Sequence, residues 1–165
     1  MDYSWTCKCC GKNFDTLPMS YATDAPDNWF ALTEADRSRR AKLSADVCII
    51  DSREFYVRGT IEVPVADWPQ TFVWGVWASV SEESFRRIHE LWDAEIEDDE
   101  PPRFGWLCTW LQGYPEPHDI KCNVFLRSGN LRPRIVLEPS AYPLAIEQHQ
   151  GITLERVEEI AAASH

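Results

Sequence analysis

Several features that mark other protein classes are missing from this chain. No stretch of its 165 residues approaches the roughly 20 consecutive apolar residues that a membrane-spanning helix needs. The N-terminal segment, MDYSWTCKCC, contains no basic region followed by an apolar run, so no signal peptide is expected. These two absences predict a protein of the cytoplasm that has no membrane as a partner.

Glycine and positive charge are also in short supply. The seven glycines are widely spaced, whereas phosphate-binding loops and dinucleotide-binding turns need closely spaced glycines. The 16 lysines and arginines are outnumbered by 27 acidic residues, which gives a net charge of −11. A field of this sign repels phosphate backbones, so nucleic acid is not expected as a partner.

The remaining composition is that of a folded protein. A hydrophobic share of 44% and a charged share of 26% are typical of globular domains. The length suits one domain with its own core, and no repeat or long linker divides the chain. Residues 1–165 are therefore predicted to form a single domain. Residues 1–32, which include Pro18 and Pro26, are predicted to be a loop-rich N-terminal segment that contains the cysteine turn.

The core is predicted to centre on residues 71–92, TFVWGVWASVSEESFRRIHELW. Residues 72–80 are apolar on both faces, which is typical of a strand that is covered on both sides. Ser81 then offers a hydroxyl that can cap the start of a helix. Apolar residues follow at helical spacing, so a long helix is predicted over residues 82–96.

Further strands are predicted around this core. Residues 55–65 alternate between apolar and polar side chains and are expected to form an antiparallel hairpin with residues 71–80. Residues 103–111 are expected to form another strand, and residues 120–138 a second hairpin. The predicted fold class is therefore α+β: a single domain with a mainly antiparallel sheet of five or six strands, one long central helix, a C-terminal helix and an N-terminal cysteine turn.

The sharpest local motif is Cys7-x-x-Cys10, which is followed by Gly11. Two cysteines at this spacing can face one tetrahedral metal ion, and the glycine permits a turn that directs backbone N–H groups at the thiolates. The sequence has no second CxxC and no closely spaced histidine pair, so only half of a zinc site is evident. Structural zinc is the one cofactor predicted, with Cys7, Cys10 and Cys48 as candidate ligands. A surface turn with reduced, unliganded thiols is the alternative.

Candidates for binding a ligand are weaker. No nucleophile lies in a frame such as G-x-S-x-G. Arg58, beside Gly59 in a predicted strand, is a candidate for binding an anion, although an arginine on a solvated strand face is the simpler explanation. Trp106 and Tyr114 lie in or near loops and are candidates for an aromatic groove, although core packing explains most tryptophans. His118, in a proline-rich loop, is a further ligand-binding candidate.

Two functions follow from these observations. The first is a non-catalytic module that binds another protein or a small molecule and is stabilised by zinc at its N-terminal turn. The alternative is a hydrolase, either zinc-dependent or metal-independent, with its site in the loops around residues 106–119. A nucleic-acid-binding role is disfavoured by the negative charge.

Several phrases of the sequence resemble one bacterial family of unknown function, DUF2199. They occur in the same order over nearly the whole chain: CKCCGKNFDTLP, FYVRGTIEVPV, WGVWASVSEESF, FGWLC, GYPEP and RPRIVLEPSAYPLAIEQHQGIT. The resemblance implies no particular activity, substrate or partner, because none is established for the family.

The resemblance does bear on the metal. It implies that relatives often have cysteine at four positions of this chain, namely Cys7, Cys10, Cys48 and Cys108. It also implies histidine in relatives at the positions of Phe14 and Tyr142, so this chain lacks both histidines, and Phe14 cannot be a ligand. Either Cys9 or another thiol substitutes in this chain, or this member holds no metal.

Overall fold

The computed structural model describes residues 3–164, so residues 1, 2 and 165 of the predicted domain lie outside the description. The strands in residues 3–164 are β1 (Trp5–Thr6), β2 (Asn13–Phe14), β3 (Ser20–Ala22), β4 (Ala41–Leu43), β5 (Val47–Ile50), β6 (Glu54–Val63), β7 (Phe72–Val80), β8 (Arg103–Leu107), β9 (Lys121–Phe125) and β10 (Arg134–Leu137). The helices in this described part are α1 (Asp27–Phe30), α2 (Glu34–Arg40), α3 (Glu82–Glu90), α4 (Pro143–Gln150) and α5 (Leu154–Ala163).

Strands β6 to β10 form a closed barrel. Each pairs antiparallel with the next, and β10 then pairs in parallel with β6, which closes a ring of five strands. The predicted β6–β7 hairpin is present, with a register that runs from Phe55 opposite Val80 to Val63 opposite Phe72. Outside the barrel, β5 and β4 extend the sheet from β6, and the short β3 pairs in parallel with β7.

The barrel interior contains most of the core. Successive side chains of a strand face opposite sides, so alternate residues of β6 and β7 point inward. Among them are Ile61 and Val76, both fully buried. The outward side chains Tyr56 and Trp77 form a second cluster with Cys48 and Ile50, and residues of the α1 region pack against it. Strand β7 is therefore buried on both faces, as its sequence predicts.

The predicted fold class is wrong about the sheet and the central helix. The strands form a closed barrel with additional strands, and residues 3–164 contain no single long central helix. Helix α3 ends at Glu90 after nine residues. Beyond Trp92 the sequence is acidic and apolar residues no longer recur at helical spacing. In addition, the Arg87 guanidinium donates to both carboxylate oxygens of Glu100, at 3.0 and 3.1 Å. This ion pair holds the chain in a reversal where a longer helix was predicted.

Several local predictions are confirmed. The Ser81 hydroxyl accepts a hydrogen bond from the Ser84 N–H at 3.1 Å and so caps α3. A C-terminal helix, α5, follows Thr153, whose side chain caps it. The strand expected over residues 103–111 is shorter, because β8 ends at Leu107. Within residues 3–164, every helix is too short or too polar to cross a lipid bilayer.

Candidate metal centre

The N-terminal cysteines lie on a small hairpin, residues 5–14, which consists of β1, β2 and the loop between them and is called the cysteine hairpin below. Two backbone hydrogen bonds close the loop: the Gly11 N–H donates to the Cys7 carbonyl at 2.8 Å, and the Cys7 N–H donates to the Lys12 carbonyl at 2.9 Å. Gly11 has a φ of 71°, which glycine adopts without steric cost. The loop is thus a tight turn, as CxxCG predicts.

This turn brings three thiols together. The sulfur atoms of Cys7, Cys9 and Cys10 all lie within 4.8 Å of one another, and those of Cys7 and Cys9 are 2.9 Å apart. Cys7 is buried, whereas Cys9 and Cys10 are exposed to solvent. Thiolates are soft ligands that suit zinc or monovalent copper. The three sulfurs can therefore hold one thiophilic metal ion that reaches the site from solvent.

The surroundings of Cys7 favour its thiolate form. Burial by itself raises the pKa of Cys7, but a hydrogen bond from the Cys9 thiol and the backbone N–H groups of Cys9 and Cys10 outweigh it and lower this pKa to about 6. The same interaction, together with burial, raises the pKa of Cys9 to about 11. The lowered pKa of Cys7 favours its thiolate, which is the form that binds a metal ion.

A thiolate titration of the metal-free, reduced protein checks this assignment. We expect the ultraviolet thiolate absorbance to rise as the pH increases through about 6, well below the ordinary thiol value of 9.0. Cys7→Ser should remove this step. Cys122→Ser, at a buried thiol whose pKa is raised to about 12 by burial, should leave it intact. A step that persists in Cys7→Ser would assign the low pKa to another group.

Helix α5 packs against the cysteine hairpin. Trp5 and Cys7 form an apolar cluster with Ala161, and Phe14 packs against it. The Phe14 ring stacks on Trp5 with a centroid separation of 5.2 Å and an interplanar angle of 26°. The position at which the family resemblance implies histidine therefore has a packing role in this chain, while Cys9 brings a third sulfur to the turn.

Cys48 lies in a different part of the molecule from this turn. It is fully buried in β5, in the cluster of Tyr56 and Trp77, and Cys108 packs against the same cluster. Burial, with a smaller contribution from Glu54, raises the pKa of Cys48 to about 11. The converging thiols are those of the turn, so the structure places Cys9, and not the predicted Cys48, beside Cys7 and Cys10. The position of Cys48 inside the apolar run of ADVCII is the sequence signal of a buried core thiol.

Tyr142, the second position at which the resemblance implies histidine, precedes α4. Its hydroxyl donates a hydrogen bond to the Pro115 carbonyl at 2.8 Å, and burial raises its pKa to about 12. Tyr142 belongs to the main core cluster, whereas Phe14 packs against the cluster of the cysteine hairpin. Both positions thus hold aromatic side chains with structural contacts.

Two of the predicted ligand-binding residues lie on the outside of the barrel. Arg58 is on β6, opposite Trp77, and its Nη1 donates to the Ala45 carbonyl at 3.3 Å. Trp106 is on β8, 37% exposed, with its ring centroid 5.2 Å from that of Phe104. Trp106 and Phe104 therefore form an exposed aromatic pair, whereas Arg58 links β6 to the loop between β4 and β5.

The other two candidates have unlike surroundings. Tyr114 is buried, and its hydroxyl donates to Glu147, which also accepts from Arg156 Nε at 2.8 Å. His118 is largely exposed, with its Nε2 3.8 Å from a carboxylate oxygen of Glu116. Tyr114 thus ties the 111–114 loop to α4 and α5, while His118 faces solvent.

Comparison with known proteins gives one match. A protein-family model described as "Uncharacterized protein conserved in bacteria (DUF2199)" matches residues 6–152, which include the three converging cysteines and the whole barrel. No curated protein and no solved structure matches the chain.

Proposed function

We propose that this chain, which belongs to the bacterial family DUF2199, is a non-catalytic binding module whose cysteine hairpin is stabilised by one zinc ion. The observation that supports the proposal most is the convergence of the Cys7, Cys9 and Cys10 sulfurs within 4.8 Å. Its partner is proposed to be a protein or a small molecule in the cytoplasm, and not a membrane or nucleic acid, since the net charge is −11.

Three thiolates fit the chemistry of zinc. Zinc takes sulfur ligands and four-coordinate geometry, so the hairpin supplies three positions and leaves the fourth to water or another group. Cys7 enters the site as a thiolate, and Cys9 and Cys10 release their protons when the metal binds. Backbone N–H groups of the turn stabilise the negative charge on Cys7.

The ion has a structural task in this proposal. Strands β1 and β2 have two residues each, and an isolated hairpin of this size is not stable in water. A metal ion that joins three residues of the turn stabilises the folded hairpin. Because Cys7 packs with Ala161, the metal ion also keeps the hairpin against α5. The surface that the hairpin forms with α5, where we propose that the partner binds, then has a fixed shape.

Metal analysis of the purified, reduced protein tests the proposal. We expect a single tightly held zinc ion, and we expect its removal by a chelator to accelerate hydrogen exchange in residues 5–14 while the barrel stays protected. Cys7→Ser, Cys9→Ser and Cys10→Ser should each lose the zinc. Cys122→Ser, which alters a buried thiol of the barrel core, is the matched control and should retain it.

Two results would count against the zinc site. One is a protein without metal in which all three thiols of the turn react freely with a thiol reagent. The other is a Cys9→Ser variant that holds zinc as tightly as the unaltered chain, because the sulfur of Cys9 would then not be a ligand.

A further inference from the structure

A groove of about 370 Å³ opens between the cysteine hairpin and α5 and is called the acidic groove below. Its volume lies within the range of ligand-binding clefts. The hairpin side includes Trp5 and Cys9, and the α5 side includes Ala162 and Ala163. The floor of the groove is therefore mostly apolar, and one wall belongs to the hairpin that carries the converging thiols.

The α5 wall of the acidic groove carries negative charge. Glu155, Glu158 and Glu159 all line it, because residues three and four apart in a helix share one face. Glu155 and Glu159 have 70% and 51% of their side chains exposed. Glu158 is held by a hydrogen bond from the Tyr3 hydroxyl. Glu159 also lies 3.4 Å from Arg156 Nη1. The residues that line the groove nevertheless include three carboxylates and one lysine, so this wall is negative beside an apolar floor.

A cation of the chain itself already lies at this wall. Lys8 Nζ is 3.7 Å from a carboxylate oxygen of Glu155, and the Lys8 side chain is 80% exposed. Ion pairs with this exposure contribute little to stability, so an incoming ammonium or guanidinium group can replace Lys8 at little cost. The position of Lys8 indicates the chemistry that the groove accepts, namely a cation on a long aliphatic stem.

We propose that the acidic groove binds an extended basic segment of a partner protein. A lysine or arginine side chain of that segment lies between Glu155 and Glu159, and an adjacent apolar side chain packs on Ala162 and Ala163. The inference rests on the proposed function, since it names the partner of the binding module. A protein segment fits both the apolar floor and the charged wall, which is the usual composition of a protein interface.

Fluorescence anisotropy with the full zinc-loaded chain tests this inference. The probe is a labelled peptide of alternating lysine and leucine, and the comparison peptide has glutamate in place of lysine. The double variant Glu155→Gln/Glu159→Gln is expected to bind the lysine peptide about tenfold more weakly than the unaltered chain. At high salt this difference in affinity should be smaller, because salt screens exposed charges. Ala163→Trp, which fills the groove without changing the charge, should weaken binding by a similar factor.

The matched control removes the same charge elsewhere. Glu95→Gln/Glu97→Gln alters two exposed carboxylates of the segment after α3 and should leave the affinity unchanged. Equal weakening in both double variants, or no weakening in Ala163→Trp, would overturn the inference, because the peptide would then be responding to overall charge alone.

Zinc content, measured on the same samples, separates this inference from the function it rests on. Groove-specific binding by a chain without zinc supports the docking site and contradicts the metal site. A zinc-loaded chain that binds the lysine and glutamate peptides equally well supports the metal site and contradicts the docking site.

Discussion

Replacement of Trp77 by alanine is expected to lower the free energy of unfolding by about 3–5 kcal/mol, the range found for large aromatic side chains in cores. Trp77 is 0% exposed, and it packs with Tyr56 and Ile50 on the outer face of the barrel. Its indole N–H donates to the Thr23 carbonyl at 2.9 Å. The substitution therefore leaves a cavity and an unpaired carbonyl together, and it loosens the packing of the α1 region on β7.

Urea unfolding of the variant measures this loss, and Trp106→Ala is the control of the same residue type. Trp106 is 37% exposed, so its replacement should cost about 1 kcal/mol or less. Similar losses in the two variants would show that the outer cluster contributes no more to stability than an exposed aromatic side chain.

Gly59→Ala is expected to cost about 3 kcal/mol, at the upper end of the range for overpacking. A Cβ atom at Gly59 would lie 2.7 Å from the Pro133 carbonyl oxygen and 2.7 Å from the Ile135 Cδ1. The Pro133 carbonyl accepts a hydrogen bond from the Thr60 N–H at 2.9 Å, next to the parallel pairing of β10 with β6. The added methyl group thus separates the strands at the closure of the barrel, where a backbone atom has little freedom to move.

Gly75→Ala provides a sharp comparison within the same hairpin. Its Cβ would lie 2.7 Å from the Ala22 Cβ on β3, a three-residue strand at the edge of the sheet. Because β3 can shift outward, we expect a cost of about 1 kcal/mol. Hydrogen exchange at Thr60 should accelerate in Gly59→Ala and stay slow in Gly75→Ala. The assignment of the closure fails if Gly75→Ala is the more damaging of the two.

The candidate site could be predicted in part from the sequence. CxxCG identifies a tight turn that directs Cys7 and Cys10 toward one point. This could be predicted because the spacing of the two cysteines and the glycine that follows them are local properties. The sequence did not distinguish Cys9 from Cys48 as the third thiol. That choice depends on the direction of the Cys9 side chain in the loop between β1 and β2. It also depends on which cysteines the fold buries, and neither is a local property.

Local patterns by themselves determined the β6–β7 hairpin, the cap of α3 at Ser81 and the presence of α5, because alternation, helical spacing and capping act between near neighbours. Only the tertiary structure decided that β10 pairs with β6 and closes a barrel, since this contact joins Arg134 to the distant Thr60. It also decided that α5 lies against the cysteine hairpin and forms the acidic groove there. Such contacts depend on the fit between surfaces whose residues are far apart in the chain. The periodicity of a sequence reflects only near neighbours and therefore does not predict them.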